Sequence, residues 1–435
     1  MLILDLAYFV ALIVASPWWL AMALVRPGFR AGMLRRFRPP RITIAGSGSI
    51  WLHGSSAGEI DLLRPLVAQL ENQRDDFDIV ISAFAYSGFV QAKKIFPQHH
   101  VIYFPAEFSP ISRYLFSRLR PLMVVLVESE FWPNFIATAH SCDIPVAVIN
   151  GKMSEKSCRL HQRTRLVPWA LRKVSLFAVQ TEAHAERFAR LGIDRQRIRV
   201  TGNMKYDLSD AGDGSALREE LRARHGIEAG QKVWIGGSLH DGEDEAVALV
   251  HRRLVDAGHD LRLVIAPRYV ADAAEAQSVL ARHGLRGVQK SVHANAKLDD
   301  ANDVLLLDTI GDLKRYYAMA DLAYVGGSLT YRGSNKGGHN LMEPAILGVV
   351  PLFGPYNFSF AETVSDLLDN GAGVLVRDTN SLAEAMEMLL DNPDHSAKMG
   401  VSARNVILGN RGATEKNYSL LLSLLPAAHE AVLTA

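Results

Sequence analysis

Cysteine is nearly absent: Cys142 and Cys158 are the two in 435 residues, without paired spacing and without a His-Cys cluster nearby. That gives no zinc signature and fits a reducing compartment. Excess charge is missing too, since the net charge is +1, so the chain as a whole offers no electrostatic argument for nucleic acid. No Gly-x-Gly-x-x-Gly opens a helix at the first strand of either half, which removes a dehydrogenase reading, and no Gly-Lys-Ser/Thr is present for a Walker loop. Short-period repeats and low-complexity tracts are also lacking. The acidic run Asp241-Gly242-Glu243-Asp244-Glu245 opens a helix, where carboxylates complement the dipole, so neither a metal nor another cofactor is expected.

Long apolar runs are scarce except at the start. Leu6 to Val25 is almost wholly apolar, about 20 residues, the length of a bilayer core. Arg26, Arg30, Arg35, Arg36, Arg38 and Arg41 follow it, whereas Asp5 is the single charge before it. The positive-inside tendency then places the body of the protein on the cytoplasmic face of the cell inner membrane. A spanning helix, a kinked interfacial helix around Pro17 and Trp18-Trp19, and a cleaved signal peptide all fit this segment; the last has its positive end on the wrong side. Residues 1–41 are taken as a membrane anchor with a basic juxtamembrane stretch, whose arginines face an anionic membrane surface.

After Pro39-Pro40 the pattern becomes alternating strand and helix. Strands are expected at 49–53, 78–82, 101–104, 122–127, 145–149 and 176–179, with helices at 59–70, 109–119, 131–140 and 183–191 between them. A polar, Gly- and Asp-rich break at 208–215 reads as a linker. The alternation restarts with strands at 233–236, 261–266, 304–307, 322–325, 350–353 and 374–376. Short apolar runs between helices are the pattern of a parallel sheet covered on both faces. The expected organisation is α/β, with two Rossmann-like doubly wound domains, 42–207 and 208–413, facing across a cleft, and a helix over 414–435.

Four turns, one in the first half and three in the second, carry the chemistry-bearing residues. His53-Gly54-Ser55-Ser56-Ala57-Gly58-Glu59 joins a strand to a helix, and Glu59 is its only carboxylate. Ser56-x-x-Glu59 is a capping box, so Glu59 is either a cap or a general base. Gly236-Gly237-Ser238 and Gly326-Gly327-Ser328 each follow a strand in the second half, and three such small-residue turns together suggest a nucleotide pocket. The third, Gly337-Gly338-His339-Asn340-Leu341-Met342-Glu343, leads through the N-cap candidate Asn340 into a helix running to Leu347. A phosphate would rest on the helix start while Glu343 accepts from ribose hydroxyls; simple capping is the competing reading. Arg268 stands at a strand end, where its fork suits a phosphate. His339 alone reads as a satisfied, partly buried histidine.

With these residues assembled, the chain resembles the bacterial 3-deoxy-D-manno-octulosonate (Kdo) transferases of lipid A and lipopolysaccharide assembly, which are GT-B glycosyltransferases. The resemblance covers nearly the whole length and includes WLHGSSAGE, VESEFWPN, INGKMSEKS, VTGNMKYD, GSLHDGE, DTIGDL, GGHNLMEPA and LFGPYNFSFAE in the family's order. It implies inverting transfer of Kdo from CMP-Kdo to a hydroxyl of the tetra-acylated lipid A precursor, lipid IVA. Glu59 matches the family's catalytic glutamate, and its place at a helix start is expected to favour the ionised form. Donor binding falls to Arg268, Gly237, Ser238, Gly326, Gly327, Gly338, Asn340, Glu343 and Lys205; Ser55, Ser56, Arg35 and Arg36 are assigned to the acceptor. The family commonly has histidine where this chain has Tyr269, a proline-leucine pair at Leu341-Met342, glutamate at Asp312, and a shorter segment than Thr330 to Lys336. Competing functions are a GT-B transferase using a UDP-sugar on another lipid, and a non-catalytic membrane-tethered nucleotide-binding protein.

Overall fold

The computed structural model describes residues 2–25, 27–73, 76–209, 214–240, 242–333 and 337–425. Arg26, Asp241, and the parts of the linker, the Thr330–Lys336 segment and the last helix that fall at 210–213, 334–336 and 426–435 lie outside them. The chain divides into two compact units, Met1–Leu208 with Asn410–Ala435, and Ser209–Gly409.

The first unit is built on seven parallel strands: β1 Ser49–His53, β2 Asp78–Ala83, β3 His100–Tyr103, β4 Pro121–Val127, β5 Val146–Gly151, β6 Leu176–Val179 and β7 Ile198–Val200. Their order is β3-β2-β1-β4-β5-β6-β7, so the winding reverses between β1 and β4. One face packs Trp51 against Phe104, Phe116 and Phe135, and the other covers Leu52 and Val125 with the helix Ala57–Gln73. Trp51 is fully buried and its indole N–H donates to Ser82 Oγ at 2.8 Å, so its polar atom is satisfied inside the core. The helix Ala413–Leu422 returns to this unit, burying Tyr418 and Leu421 on that second face, and Asp207 accepts from the Gly412 and Thr414 N–H groups at 2.7 and 2.6 Å.

The apolar lead segment forms one helix, Leu2–Val25, followed by Pro27–Phe37. Among the described residues no helix is long and apolar enough to cross a membrane, which departs from the spanning-anchor expectation. The first turns are tied to the protein instead. Asp5 accepts from the Ser109 N–H at 2.7 Å and the Asn134 side chain at 2.8 Å, and Tyr8 hydrogen-bonds Glu107. Beyond them Phe9, Val10, Ile13, Val14 and Trp18 are exposed.

The second unit repeats the plan with β8 Lys232–Leu239, β9 Leu261–Pro267, β10 Arg286–Gln289, β11 Asp303–Leu306, β12 Leu322–Val325, β13 Val350–Phe353 and β14 Val374–Leu375. All pairs are parallel, and the order β10-β11-β9-β8-β12-β13-β14 puts the reversal between β8 and β12. In its core the Trp234 indole donates to His251 Nδ1 at 3.1 Å, and His251 Nε2 donates to the Ala301 carbonyl at 2.8 Å. Both ring nitrogens are thereby committed to the neutral tautomer, and burial holds its pKa down at about 4.

Candidate functional site

In open α/β sheets ligands gather outside the strand carboxyl ends, where the winding reverses. In the first unit that place holds Glu59. Its Oε2 accepts the Ser55 N–H at 2.8 Å, its Oε1 accepts Ser56 Oγ at 2.9 Å, and its own N–H reaches Ser56 Oγ at 3.4 Å. Ser55 and Ser56 therefore hold the carboxylate, whatever else they touch. Burial pushes the Glu59 carboxyl up to about 7; the Ser55 N–H pulls against this, while Glu130 and Glu128 add to the rise. The expectation that the helix start favours the ionised form is outweighed in this balance: two short-range donors do not offset desolvation plus two neighbouring carboxylates.

Those neighbours went unassigned in the sequence reading, although both lie within the VESEFWPN stretch. Glu128 follows β4 with a left-handed backbone (φ 61°) and is buried, its carboxylate 2.6 Å from Lys152 Nζ and 3.5 Å from the Asn150 side chain. Glu130 accepts from the Trp132 indole at 3.0 Å and lies 3.7 Å from Nε2 of buried His53, whose pKa burial lowers. Two acidic residues two positions apart at a strand end were the signal available. Asn150, also left-handed (φ 51°), accepts the Met204 N–H at 2.9 Å and so fastens the turn Met204–Leu208, which carries half-buried Lys205, to the end of β5.

Arg35 and Arg36, paired in sequence, part company in space. Arg36 donates to the Phe84 carbonyl and lies 3.7 Å over the Phe84 ring, and burial draws its pKa down to about 10. It is packed into the unit, whereas Arg35 is exposed, 5.8 Å from the Phe89 ring.

In the second unit the reversal point is crowded by the protein's own groups. Glu243, buried at the start of the helix Glu243–Asp256, accepts the N–H groups of His240, Gly327, Ser328 and Leu329 at 3.0, 2.6, 3.0 and 3.0 Å. The Tyr324 hydroxyl adds a fifth bond at 2.8 Å. The Gly326-Gly327-Ser328 turn does cradle an anion, but that anion is a side chain, so its amides are not open to a phosphate. A Cβ on Gly326 would come 2.6 Å from Glu243 Oε2, and one on Gly237 would come 2.1 Å from Tyr317 Oη. Both glycines make room for internal packing. Ser238 sits in the β8 bulge with φ 56°, a strained conformation outside glycine.

The third turn departs from expectation in length: its helix is Met342–Ile346, five residues, too short for a developed dipole. Gly338 (φ 77°) leaves space for Asn357, whose Oδ1 would lie 2.1 Å from an added Cβ. The N-cap position falls on Leu341 and not on Asn340 as expected; Asn340 sits one residue earlier, accepting the Met342 N–H at 3.1 Å and donating to Glu343 Oε1 at 3.1 Å. Burial raises the Glu343 pKa against that bond and the charge of Lys314. Arg268 is exposed after β9, its guanidinium 5.5 Å over the Tyr269 ring. His240 and His339 meet with their Nε2 atoms 2.8 Å apart. Among the described residues no group of three or more His, Cys, Asp or Glu is arranged to hold a metal.

Solved structures share this architecture. UDP-GlcNAc 2-epimerase from Neisseria meningitidis matches with a TM-score of 0.58 at 14% identity, over 86% of this chain and 100% of that one. A glycosyltransferase from Rickettsia africae matches at 0.54 and 11%, over 87% and 99%. The two-unit parallel fold is that of the GT-B glycosyltransferases.

The family model for 3-deoxy-D-manno-octulosonic-acid transferase (kdotransferase) matches residues 29–208. The 3-deoxy-D-manno-octulosonic acid transferase of Chlamydophila psittaci is 32% identical over 83% of this chain and 82% of that protein, and that of Haemophilus influenzae is 28% identical over 86% of each. The chain belongs to the Kdo transferase family, and it is a glycosyltransferase.

Proposed function

We propose that the enzyme transfers Kdo from CMP-Kdo to a hydroxyl of the tetra-acylated lipid A precursor in one inverting displacement. Glu59 takes the proton of the acceptor hydroxyl, the oxygen bonds to the anomeric carbon, and the bond to the CMP phosphate breaks with its electrons leaving on phosphate oxygen. The observation that carries this reading is the Glu59 carboxyl, held by Ser55 and Ser56 with its pKa near 7. A base with that affinity is half ionised at neutral pH and still strong enough to accept a proton. Lys152 would offset the charge of Glu128 while Glu59 cycles between its two states.

The nucleotide falls to the second unit. Arg268 offers its fork to the phosphate, and the Asn340-Glu343 pair offers an amide and a carboxylate to the base and ribose. Since Glu243 occupies the Gly327, Ser328 and Leu329 amides, phosphate recognition rests on side chains more than on that turn.

The helix Leu2–Val25 lies in the membrane interface on the cytoplasmic face of the inner membrane. Its exposed Phe9, Val10, Ile13, Val14 and Trp18 enter the headgroup boundary, and Arg35 meets lipid phosphates. Flotation with anionic vesicles tests this, and binding unchanged in a Phe9→Ser/Ile13→Ser/Trp18→Ser variant would remove it.

Incubating the full chain with CMP-Kdo and lipid IVA, followed by mass spectrometry of the lipid, tests the transfer. Lipid gaining Kdo mass is the expected result. No product with CMP-Kdo, together with calorimetric preference for UDP over CMP, would overturn the donor assignment.

A further inference from the structure

A half-buried cation stands beside the Glu59 turn with no anion of the protein to answer it. Arg36, near the end of the helix Pro27–Phe37, lies at the carboxyl ends of β2 and β3. Its guanidinium donates to the Phe84 carbonyl, 3.7 Å over the Phe84 ring and 5.9 Å from that of Tyr103, and its own carbonyl accepts the Ala106 N–H at 3.2 Å. Among the described residues this is the one hydrogen bond of a side chain with five N–H donors, and no carboxylate pairs with it. A pKa of about 10 leaves it charged at neutral pH. A cation drawn out of water without a counter-ion is costly, and the face of one ring offsets part of that cost.

The turn that holds Glu59 is one peptide away. The Phe84–Ala85 peptide has its carbonyl on Arg36 and its N–H on the Ser55 carbonyl at 2.8 Å, and the Ser55 N–H holds Glu59 Oε2. Phe84 also lies 5.0 Å from Trp132, whose indole holds Glu130. Glu59, Glu128 and Glu130 make this end of the sheet acidic, and Lys152 is already taken by Glu128 at 2.6 Å. Arg36 is left uncommitted.

We infer that Arg36 receives the carboxylate of the transferred sugar and so selects an acid sugar as donor. The inference rests on the CMP-Kdo reading above. In an octulosonic acid the carboxylate is bonded to the anomeric carbon, so the carbon attacked beside Glu59 brings an anion to the same place. A guanidinium fork pairs with a carboxylate through two parallel N–H···O bonds. That pair offsets the repulsion from the neighbouring glutamates and fixes the rotation of the sugar, presenting the face opposite CMP to the acceptor hydroxyl. A neutral aldose carries hydrogen at that carbon and leaves the guanidinium unanswered, which discriminates against it. Arg36 thus belongs with the donor, while Arg35, exposed one residue earlier, keeps the lipid phosphates.

Steady-state transfer by the full chain tests this. In Arg36→Gln the KM for CMP-Kdo should rise about 30-fold, with kcat within about threefold and the KM for the lipid unchanged. Arg36→Lys keeps the charge without the fork, and its KM for CMP-Kdo should rise about fivefold. Free Kdo should inhibit the wild type about 30-fold better than its methyl ester, and Arg36→Lys should narrow that preference, a readout that serves even where Arg36→Gln does not fold. Equal inhibition of the wild type by acid and ester, or a preference that Arg36→Lys leaves intact, would overturn the assignment. So would a KM rise confined to the lipid and abolished with a dephosphorylated acceptor, which would make lipid phosphate the anion. Wild-type protein that makes no product from CMP-Kdo defeats the donor reading; wild-type transfer with an unaltered KM for CMP-Kdo in Arg36→Gln defeats this inference alone.

Discussion

The two units each place a glutamate in the first turn of the helix that follows their first strand, Glu59 after β1 and Glu243 after β8. Glu59 has two donors on its carboxylate and is half-buried beside Glu128 and Glu130. Glu243 has five donors and is buried. The same residue at the same point of the same fold is the proposed proton acceptor in one unit and the centre of five internal hydrogen bonds in the other. What separates them is how many hydrogen bonds remain unmade: a carboxylate that has filled its lone pairs with backbone N–H groups organises the loops around it, whereas one left short of donors among like charges is ready to take a proton.

Three substitutions and a change of pH would break or sharpen this contrast. Glu59→Gln should reduce kcat about 10³-fold while leaving denaturant stability within about 1 kcal/mol, because the amide still caps the turn; transfer at the wild-type rate would remove Glu59 from the mechanism. Glu243→Gln should destabilise the second unit by about 3 kcal/mol in chemical denaturation, since an NH2 group then faces several N–H donors in a buried site. A loss as small as that of Glu59→Gln would mean that the five bonds do not distinguish the two residues. Tyr324→Phe deletes one of those five and should cost about 1 kcal/mol, with donor binding by calorimetry unaffected.

pH tests the same contrast without a substitution. The folded pKa of Glu59 is raised to about 7 from an ordinary 4.5, so the folded state binds the extra proton between these values. Its contribution to stability is full below about 4.5 and is lost as pH rises through 7, and Glu59→Gln should flatten that slope. His251 in the second unit has the opposite sign: lowered to about 4 from 6.5, it supports the fold above 6.5 and withdraws that support as pH falls toward 4. Melting followed between pH 4 and 8 should therefore show the second unit losing ground in acid where the first gains. Over the same range kcat should drop about tenfold per unit below pH 7, as Glu59 becomes protonated.

Twelve of the strands could be read from their short apolar runs. The two that were missed, β7 and β10, are edge strands with sequences Ile198-Arg199-Val200 and Arg286-Gly287-Val288-Gln289. An edge strand has one neighbour and tolerates charge, and in these two Arg199, Arg286 and Gly287 break the apolar run. The glycine turns were recognised but their purpose was not. Gly237, Gly326 and Gly338 make room for Tyr317, Glu243 and Asn357, residues 80, 83 and 19 positions away, separations at which a turn sequence says nothing. Arg35 and Arg36 were indistinguishable as neighbours until the helix Pro27–Phe37 turned one guanidinium onto Phe84 and left the other in solvent.

The order of apolar runs and polar turns by itself determined two parallel α/β units and Glu59 as the carboxylate to watch, because strand and helix periodicity and strand-end turns are local properties, whereas the family was legible through the resemblance of its motifs. The tertiary structure alone decided which carboxylate titrates, which anion fills the glycine cradle and which two histidines meet. Those outcomes depend on desolvation and on donors brought from distant strands to within 3 Å, and both exist only once the sheets have assembled.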